Sequence, residues 1–406
     1  FFYNNLVMRS LSSSFFGDIV ENSKIGFLQR QKLHSSDCWA KGLCLTDKLE
    51  VEPSARNTDF LFRRHGASVN TVRWNDEGTF LISGGDSLQL SIWSGITHNL
   101  VANFSTPHTN NIFDAKYVPN SSDTKIVSCA ADSRVFLLDM NTPNINHVLQ
   151  SDTTQCAFTE LCSFTGMAVK LQFLPLDSNS LLVTSHSGEV SLVDIRTPQV
   201  PQTVYDSDGH CFGVAFDPFV PTQFAVSTSS PGVGLYDLRM ASASRPFTHT
   251  SGHITKFCHP SLCKEDRMGR LRSEKSPTDI EFSSSRELLV NYSSYDLVLF
   301  DGNEIGEDYS TKIIQQYAGR SNRDTFIKEA RFFAGEKYIL TGSDSGELFI
   351  WEKDTAKIIR KMRADTHILN SIAVNPSFPK IACSGIDSSV KIYSCELSPN
   401  LNTEME

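Results

Sequence analysis

Short runs of alternating apolar and polar residues, separated by turn residues, recur through most of the chain. In the first set, runs at 68–74, 80–83 and 88–93 are divided by turns rich in Gly, Asn, Asp and Ser. Alternation with a period of two between such turns is typical of half-buried β-strands. The same three-run pattern repeats in six more sets, whose third runs end at Leu138, Val193, Tyr236, Phe300, Trp351 and Tyr393.

The spacing of these sets indicates the architecture. Successive third runs end 42 to 64 residues apart, and the shortest spacings match the roughly 40–45 residues of a four-stranded propeller blade, with the excess in loops. Helical segments do not separate the strands, which disfavours an α/β sheet. A β-sandwich pair is the structural alternative. The sequence predicts an all-β fold, a seven-bladed β-propeller over residues 58–394 with a short N-terminal helical segment.

The two ends of the chain lie outside this pattern. Residues 1–57 lack strand alternation, and apolar residues at helical spacing within 15–33 predict a candidate docking helix or a cap on the ring. The run at 60–63 has no blade in front of it, and the run at 390–394 has no fourth strand after it. Because an open ring would leave an unpaired strand edge, we expect these two runs to pair. Residues 395–406 are predicted to form an acidic tail.

Two neighbouring sets finish on the same ending, an acid, one apolar residue and an arginine. They read VSLVDIR and VGLYDLR, and their arginines stand 43 positions apart. An exposed arginine presents a rigid planar fork to carbonyl or carboxylate groups, and the preceding Asp can hold the fork in place. A lone copy is more simply a weak surface salt bridge, whereas two copies in adjacent blades predict a protein-binding rim. The predicted binding residues are Asp194, Arg196, Asp237 and Arg239.

The repeated sets resemble WD40 repeats over about 340 of the 406 residues. Trp93 and Trp351 stand where that family carries the Trp of its Trp-Asp ending, and Tyr-Asp, Phe-Asp or Leu-Asp stands there in other sets. The family's buried network of His, hydroxyl, turn Asp and Trp, which satisfies buried polar groups, is only partly kept. Its candidate members are Asp132, Asp387, His65, His108 and His367.

The doubled ending is similar to the paired WDxR signature of the substrate receptors of cullin-4 ubiquitin ligases, the DDB1- and CUL4-associated factors. In those receptors the arginines help to dock the propeller on the ligase adaptor, and many members also dock through an N-terminal helical segment. Val193 and Tyr236 stand where the family has Trp. The resemblance implies a DDB1-like adaptor and an unknown protein substrate as partners, no cofactor, and a location in the nucleus and/or cytoplasm.

Several motifs further resemble the nuclear-receptor-interacting member of these receptors. That member carries a very long insertion between its fifth and sixth blades, whereas only residues 302–323 intervene here, so a partner that uses the insertion is not predicted. The matching motifs are VNTVRWND at 69–76, NIFDAK at 111–116, LVNYSS at 289–294, IKEA at 327–330, GSDSG at 342–346 and SGID at 384–387.

Composition bears on the remaining function classes. The net charge of −9 makes nucleic acid an unlikely partner. Apolar runs are too short to predict a membrane span, and ten cysteines without a CxxC pair favour reduced, buried thiols. The set His249, His253, Cys258 and Cys263 matches no standard zinc spacing, so no metal is predicted.

Catalytic motifs are absent from the sequence, which contains no nucleophile elbow, P-loop or HExxH. The chain is therefore not predicted to be an enzyme, although a propeller enzyme with a site in its central channel is the third possibility. The main alternative to a ligase receptor is a WD40 scaffold in a nuclear or transcription-coactivator complex, because propellers host many functions.

Overall fold

A computed structural model gives the fold of most of the chain. It describes residues 43–50, 67–141, 158–198, 201–207, 209–241, 246–248, 252–262, 275–305 and 309–395. Within these ranges the chain forms β-strands and a short 3₁₀ helix at Leu238–Met240. None of these ranges contains a helix long and apolar enough to cross a membrane.

The strands follow one another along the chain with turns of a few residues in most places. In chain order they are β1 Leu43–Glu50, β2 Val69–Trp74, β3 Phe80–Gly85, β4 Gln89–Ser94, β5 Leu100–Ser105, β6 Ile112–Tyr117, β7 Lys125–Ala130, β8 Arg134–Asp139, β9 Phe158–Ser163, β10 Ala168–Leu174, β11 Asp177–Ser185, β12 Glu189–Asp194, β13 Gln202–Asp206, β14 Cys211–Phe216, β15 Gln223–Thr228, β16 Val233–Asp237, β17 Thr255–Phe257, β18 Pro277–Phe282, β19 Glu287–Tyr292, β20 Leu297–Asp301, β21 Tyr309–Ser310, β22 Ile313–Tyr317, β23 Ala330–Phe333, β24 Tyr338–Gly342, β25 Glu347–Glu352, β26 Ile358–Arg363, β27 Leu369–Val374, β28 Lys380–Gly385 and β29 Ser389–Cys395.

These strands form seven antiparallel sheets, the blades of a propeller. Blade 1 is β2–β5, blade 2 is β6–β9, blade 3 is β10–β13, blade 4 is β14–β17 with β21 added in parallel, blade 5 is β18–β20 with β22, blade 6 is β23–β26, and blade 7 is β27–β29 with β1. The first strand of each blade packs against the first strand of the next, and β27 packs against β2. The predicted seven-bladed all-β propeller is confirmed.

The first three strands of each blade lie where the sequence pattern predicts them, but the fourth strands were not predicted. In most blades the fourth strand forms the outer edge of the ring, where few side chains are buried; β17 is buried instead, because β21 covers it. In β5, for example, Leu100 and Val101 are 51% and 53% exposed. An exposed edge strand does not need strict apolar alternation, so the pattern fades there.

The ring is closed by a different strand from the one predicted. We expected the run at 60–63 to pair with the last strand, but β1 pairs with β29 instead, from Leu43 opposite Cys395 to Glu50 opposite Ser389. The register shifts between Leu45 and Asp47, so a bulge interrupts the alternation that would have revealed the strand. This strand lies in the segment predicted to be outside the propeller. The run at 60–63 and the candidate helix at 15–33 lie outside the described residues.

Apolar side chains fill the spaces between neighbouring blades. At the closure, Val72 and Trp93 of blade 1 pack with Ala382 and Ile392 of blade 7 in one buried cluster. Stacked blades that share a core in this way are typical of propellers, in which no blade buries its apolar surface alone. The core therefore runs as a ring of interfaces around the central channel.

Blade 2 keeps the His, hydroxyl and turn-Asp members of the family's buried polar network, and Leu138 stands at the position of the Trp. His108 Nδ1 lies 3.1 Å from Asp132 Oδ1, and His108 Nε2 lies 3.0 Å from Ser128 Oγ. In blade 7 the predicted pair does not form the same network, because Asp387 pairs with Lys391 and His367 contacts Thr366. His65 lies outside the described residues.

Candidate functional site

The first acid–arginine ending closes β12 in blade 3. Asp194 is the last residue of the strand, and Arg196 follows in the next turn. The Arg196 side chain donates to Asp194 through Nε at 3.0 Å and Nη2 at 2.6 Å, and its backbone N–H donates to Asp194 Oδ1 at 2.8 Å. These hydrogen bonds from Arg196 lower the pKa of Asp194. The Arg196 side chain remains 60% exposed.

The second ending has the same geometry in blade 4. Asp237 ends β16 and caps the 3₁₀ helix Leu238–Met240, accepting the backbone N–H of Arg239 at 3.0 Å. Arg239 donates to Asp237 through Nε at 3.0 Å and Nη2 at 2.5 Å, and this side-chain hydrogen bonding is the main reason that the pKa of Asp237 falls to about 2. The Arg239 side chain is 68% exposed.

The two endings lie on one side of the ring, which we call the arginine face. In an antiparallel four-stranded blade the first and third strands run in the same direction. Because β12 and β16 are the third strands of adjacent blades, both end at the same rim. The face is thus defined by the ends of the first and third strands and by the turns that follow them.

Each arginine forms a surface salt bridge with the aspartate two positions before it, Arg196 with Asp194 and Arg239 with Asp237. An exposed pair of this kind contributes little to stability. Its geometric effect is larger, because two parallel hydrogen bonds fix the plane of each guanidinium. The fixed forks of Arg196 and Arg239 point into solvent, with their Nη1 groups making no hydrogen bond within the described residues. They can therefore bind acceptor groups of another molecule without prior ordering.

Three exposed apolar side chains lie on the same side of the ring as the arginines and were not predicted from the sequence. Leu176, Phe219 and Met240 are 77%, 62% and 70% exposed, more than any other large apolar side chain in the described ranges. Leu176 and Phe219 occupy the turns after β10 and β14, and Met240 follows Arg239 directly. All three belong to the arginine face, since each of these turns adjoins the end of a third strand through the pairings Ser180–Asp194 and Gln223–Asp237.

Inside the ring, charged side chains of the first strands line the channel. In Lys116 and Glu281, burial is the largest cause of a pKa shift and also sets its direction. Burial lowers the pKa of Lys116 to about 8 and raises the pKa of Glu281 to about 7. Lys116 donates to Gln172, and Glu281 accepts the backbone N–H of Phe332. These groups do not contact each other, so their pKa shifts come from desolvation and not from an acid–base pair.

The predicted absence of a metal site concerns residues that the structure describes only in part. His249 and Cys263 lie outside the described residues, within which no group of three or more His, Cys, Asp or Glu side chains could hold a metal ion. Cys258 is disulfide-bonded, which departs from the expectation of reduced thiols. A disulfide sulfur is not a thiolate, so Cys258 is not available as a zinc ligand in this state.

Comparisons with known proteins agree with the fold. Residues 57–94 match the family model described as WD domain, G-beta repeat. DDB1- and CUL4-associated factor 6 from Mus musculus is 30% identical over 251 residues, which cover 58% of this chain and 26% of that protein. WD repeat protein iqw1 from Schizosaccharomyces pombe is 27% identical over 265 residues, covering 59% and 31%.

A third relative, WD and tetratricopeptide repeats protein 1 from Mus musculus, is 25% identical over 264 residues, covering 58% of this chain and 37% of that protein. The matches thus span about a quarter to a third of the length of the curated relatives. Most of the sequence of each relative therefore lies outside the matched region. The chain folds as a seven-bladed β-propeller, matches a WD40 repeat at residues 57–94, and is similar in sequence to a DDB1- and CUL4-associated factor.

Proposed function

We propose that this propeller is the substrate-recognition subunit of a cullin-4 RING ubiquitin ligase and docks on the ligase adaptor, a DDB1-like protein, through the arginine face. The observation that carries the proposal is the pair of aspartate-held guanidinium groups, 60% and 68% exposed, at equivalent positions of adjacent blades. The similarity to a protein named as a DDB1- and CUL4-associated factor supports it.

The composition of the arginine face suits a protein interface. Arginines and large apolar side chains provide most of the binding free energy at interfaces, and charged rims around them add specificity. Arg196 and Arg239 are held in place before binding, which lowers the conformational entropy lost on association. Leu176, Phe219 and Met240 supply apolar surface that a partner can bury.

The proposed action is positional and involves no catalysis by the chain itself. The adaptor would hold the arginine face, while the opposite face or the loops between blades hold a protein substrate. Tethering both partners raises the effective concentration of the substrate near the ubiquitin-loading machinery. The finer relationship to the nuclear-receptor-interacting receptor remains a prediction based on motifs such as those at 69–76 and 289–294. A location in the nucleus and/or cytoplasm remains a prediction from the resemblance to the ligase receptors.

The test is the affinity of the purified chain for a purified DDB1-like adaptor. Arg196→Ala/Arg239→Ala is expected to weaken binding about a hundred-fold, since two hot-spot arginines are lost. Arg134→Ala is the matched control, because Arg134 is also exposed and ion-paired, with Glu160 at 3.9 Å. It begins the third strand of blade 2 and so lies on the opposite face. The control should bind like the wild type.

Two other results would redirect the proposal. Adaptor binding that is unchanged in the double variant would remove the arginine face from the docking site. If the wild-type chain does not bind the adaptor but co-purifies with a transcription-coactivator assembly, the alternative function as a WD40 scaffold would be favoured.

A further inference from the structure

The central channel opens at the arginine face into a cavity of about 430 Å³. Its walls come from the first strands of the blades, and its mouth is formed by turns after these strands, with Pro175, Pro218 and Ser284 among them. We call this space the channel cavity. The cations that line it are Arg73, Lys116, Lys170 and Arg331.

Three of these four cations are already neutralised by carboxylates. Each of them contacts at least one buried acid from another blade. One ion pair for each cation is Arg73–Asp114 at 2.9 Å, Lys170–Asp279 at 3.6 Å and Arg331–Asp279 at 2.6 Å. Their charges therefore hold the ring together and are not available to attract a ligand.

Lys116 is the exception among the cations of the channel cavity. Its ammonium group donates to the amide oxygen of Gln172 at 2.6 Å and has no carboxylate within 4 Å in the described part of the chain. Glu281 also lines the cavity and accepts the backbone N–H of Phe332. Burial raises the pKa of Glu281 to about 7, so it is partly neutral near pH 7. The cavity thus contains one ammonium group without a carboxylate in salt-bridge contact, since the acid whose charge acts on it, Asp114, is already paired with Arg73.

The mouth of the channel cavity continues directly into the arginine face. Pro175 and Pro218 line the cavity, and the residues that follow them, Leu176 and Phe219, are among the most exposed apolar side chains. A protein that buries Leu176 and Phe219 must therefore cover the mouth. Two features identify the occupant of the cavity. The cavity is continuous with the docking surface, and the ammonium group of Lys116 has no carboxylate in salt-bridge contact.

We propose that the protein docking on the arginine face inserts a carboxylate-bearing segment into the channel cavity, where the carboxylate pairs with Lys116. This inference rests on the proposed function and adds the chemistry of the partner, an acidic loop tip or chain end. The attraction between the two charges offsets the cost of desolvating them, and the pair forms a charge-assisted hydrogen bond in a site from which the docked protein excludes water.

The experiment compares Lys116→Met with the wild type in adaptor affinity and in thermal unfolding, using the complete chain. Methionine keeps most of the length of the side chain but removes the charge. We expect the Kd for the adaptor to rise at least ten-fold, while the midpoint of unfolding stays the same or rises. Lys361→Met is the control, because Lys361 pairs with Glu347 at 2.9 Å on the outer strand β26 and is 48% exposed.

The outcomes separate this inference from the proposed function. If Arg196→Ala/Arg239→Ala weakens adaptor binding but Lys116→Met does not, docking stands and the inserted carboxylate is refuted. A fall in the unfolding midpoint of Lys116→Met with unchanged affinity would show a structural lysine. Free glutarate, added at constant ionic strength, tests the other source of a carboxylate. If it raises the unfolding midpoint only when Lys116 is present, and adaptor affinity does not depend on Lys116, the occupant is a small molecule and the proposal fails.

Discussion

Glu329 is a single buried carboxylate that joins four blades. It precedes β23 in blade 6 and is 2% exposed. Its oxygens accept hydrogen bonds or ion pairs from side chains of blades 1, 3, 6 and 7. The partners are Arg73 at 2.5 Å and 3.0 Å, Arg331 at 3.0 Å, Ser371 at 2.8 Å and Lys170. A carboxylate with this many partners fixes how the first strands meet around the channel.

Glu329→Gln is expected to lower the free energy of unfolding by about 3–5 kcal/mol near pH 7, because buried cations lose their counter-charge. Burial alone would raise the pKa of Glu329, but Arg331, Arg73 and Lys170 outweigh it and hold the pKa well below 4.5. A carboxylate with a lowered folded-state pKa stabilises fully above its unfolded pKa, and this contribution is lost as the pH falls through 4.5 toward the folded value. Urea unfolding at several pH values should therefore show the two proteins converging in acid.

Glu347→Gln is the control for this prediction. Glu347 pairs with the half-exposed Lys361 on an outer strand, and an exposed pair contributes about 1 kcal/mol or less. Equal losses of stability in the two variants would mean that the buried ion pairs of Glu329 contribute no more to stability than an exposed pair does. The role of Glu329 was not predictable from its sequence, since its partners lie in blades far apart along the chain.

At the scale of the strand, alternation of apolar and polar residues predicts only those strands whose side chains are buried. The inner strands were predictable because their side chains meet neighbouring blades, as in β7, where five successive residues are buried. The outer strand β26 contains no fully buried side chain, so its sequence carries no comparable signal. The closing strand β1 was missed for a related reason, since Asp47 and the shift of register interrupt its alternation.

Closure by β1 predicts a measurable contribution to stability. Deleting residues 1–50 would leave the backbone groups of β29 unpaired along the edge that faces β1. We expect the midpoint of thermal unfolding to fall by about 5 °C or more, and self-association to increase through the open edge. Deletion of residues 1–42 is the control, because it keeps β1. Similar unfolding midpoints for the two deletions, with no difference in size-exclusion profiles, would contradict the role of β1 in closing the ring.

At the scale of the whole molecule, repetition along the chain becomes proximity on one face. The period of the repeats was enough to predict that Arg196 and Arg239 share a rim. It could not predict Leu176 and Phe219, because an apolar residue after a turn proline gives no sign of which face it reaches. Only the pairing of strands within each blade places these turns beside the arginines. The channel cavity is likewise a product of ring closure, assembled from side chains on several blades.

Phe219 provides the test of the arginine face as an interface. It is 62% exposed, so Phe219→Ala should leave the free energy of unfolding within about 0.5 kcal/mol of the wild type. If docking on the arginine face buries this ring, the same change should raise the Kd for the adaptor about ten-fold or more, as expected for an aromatic hot spot. Leu100→Ala is the control, since Leu100 is 51% exposed on the outer strand β5. Calorimetric titration that finds both variants equal to the wild type would exclude Phe219 from the interface and leave docking to the arginines alone.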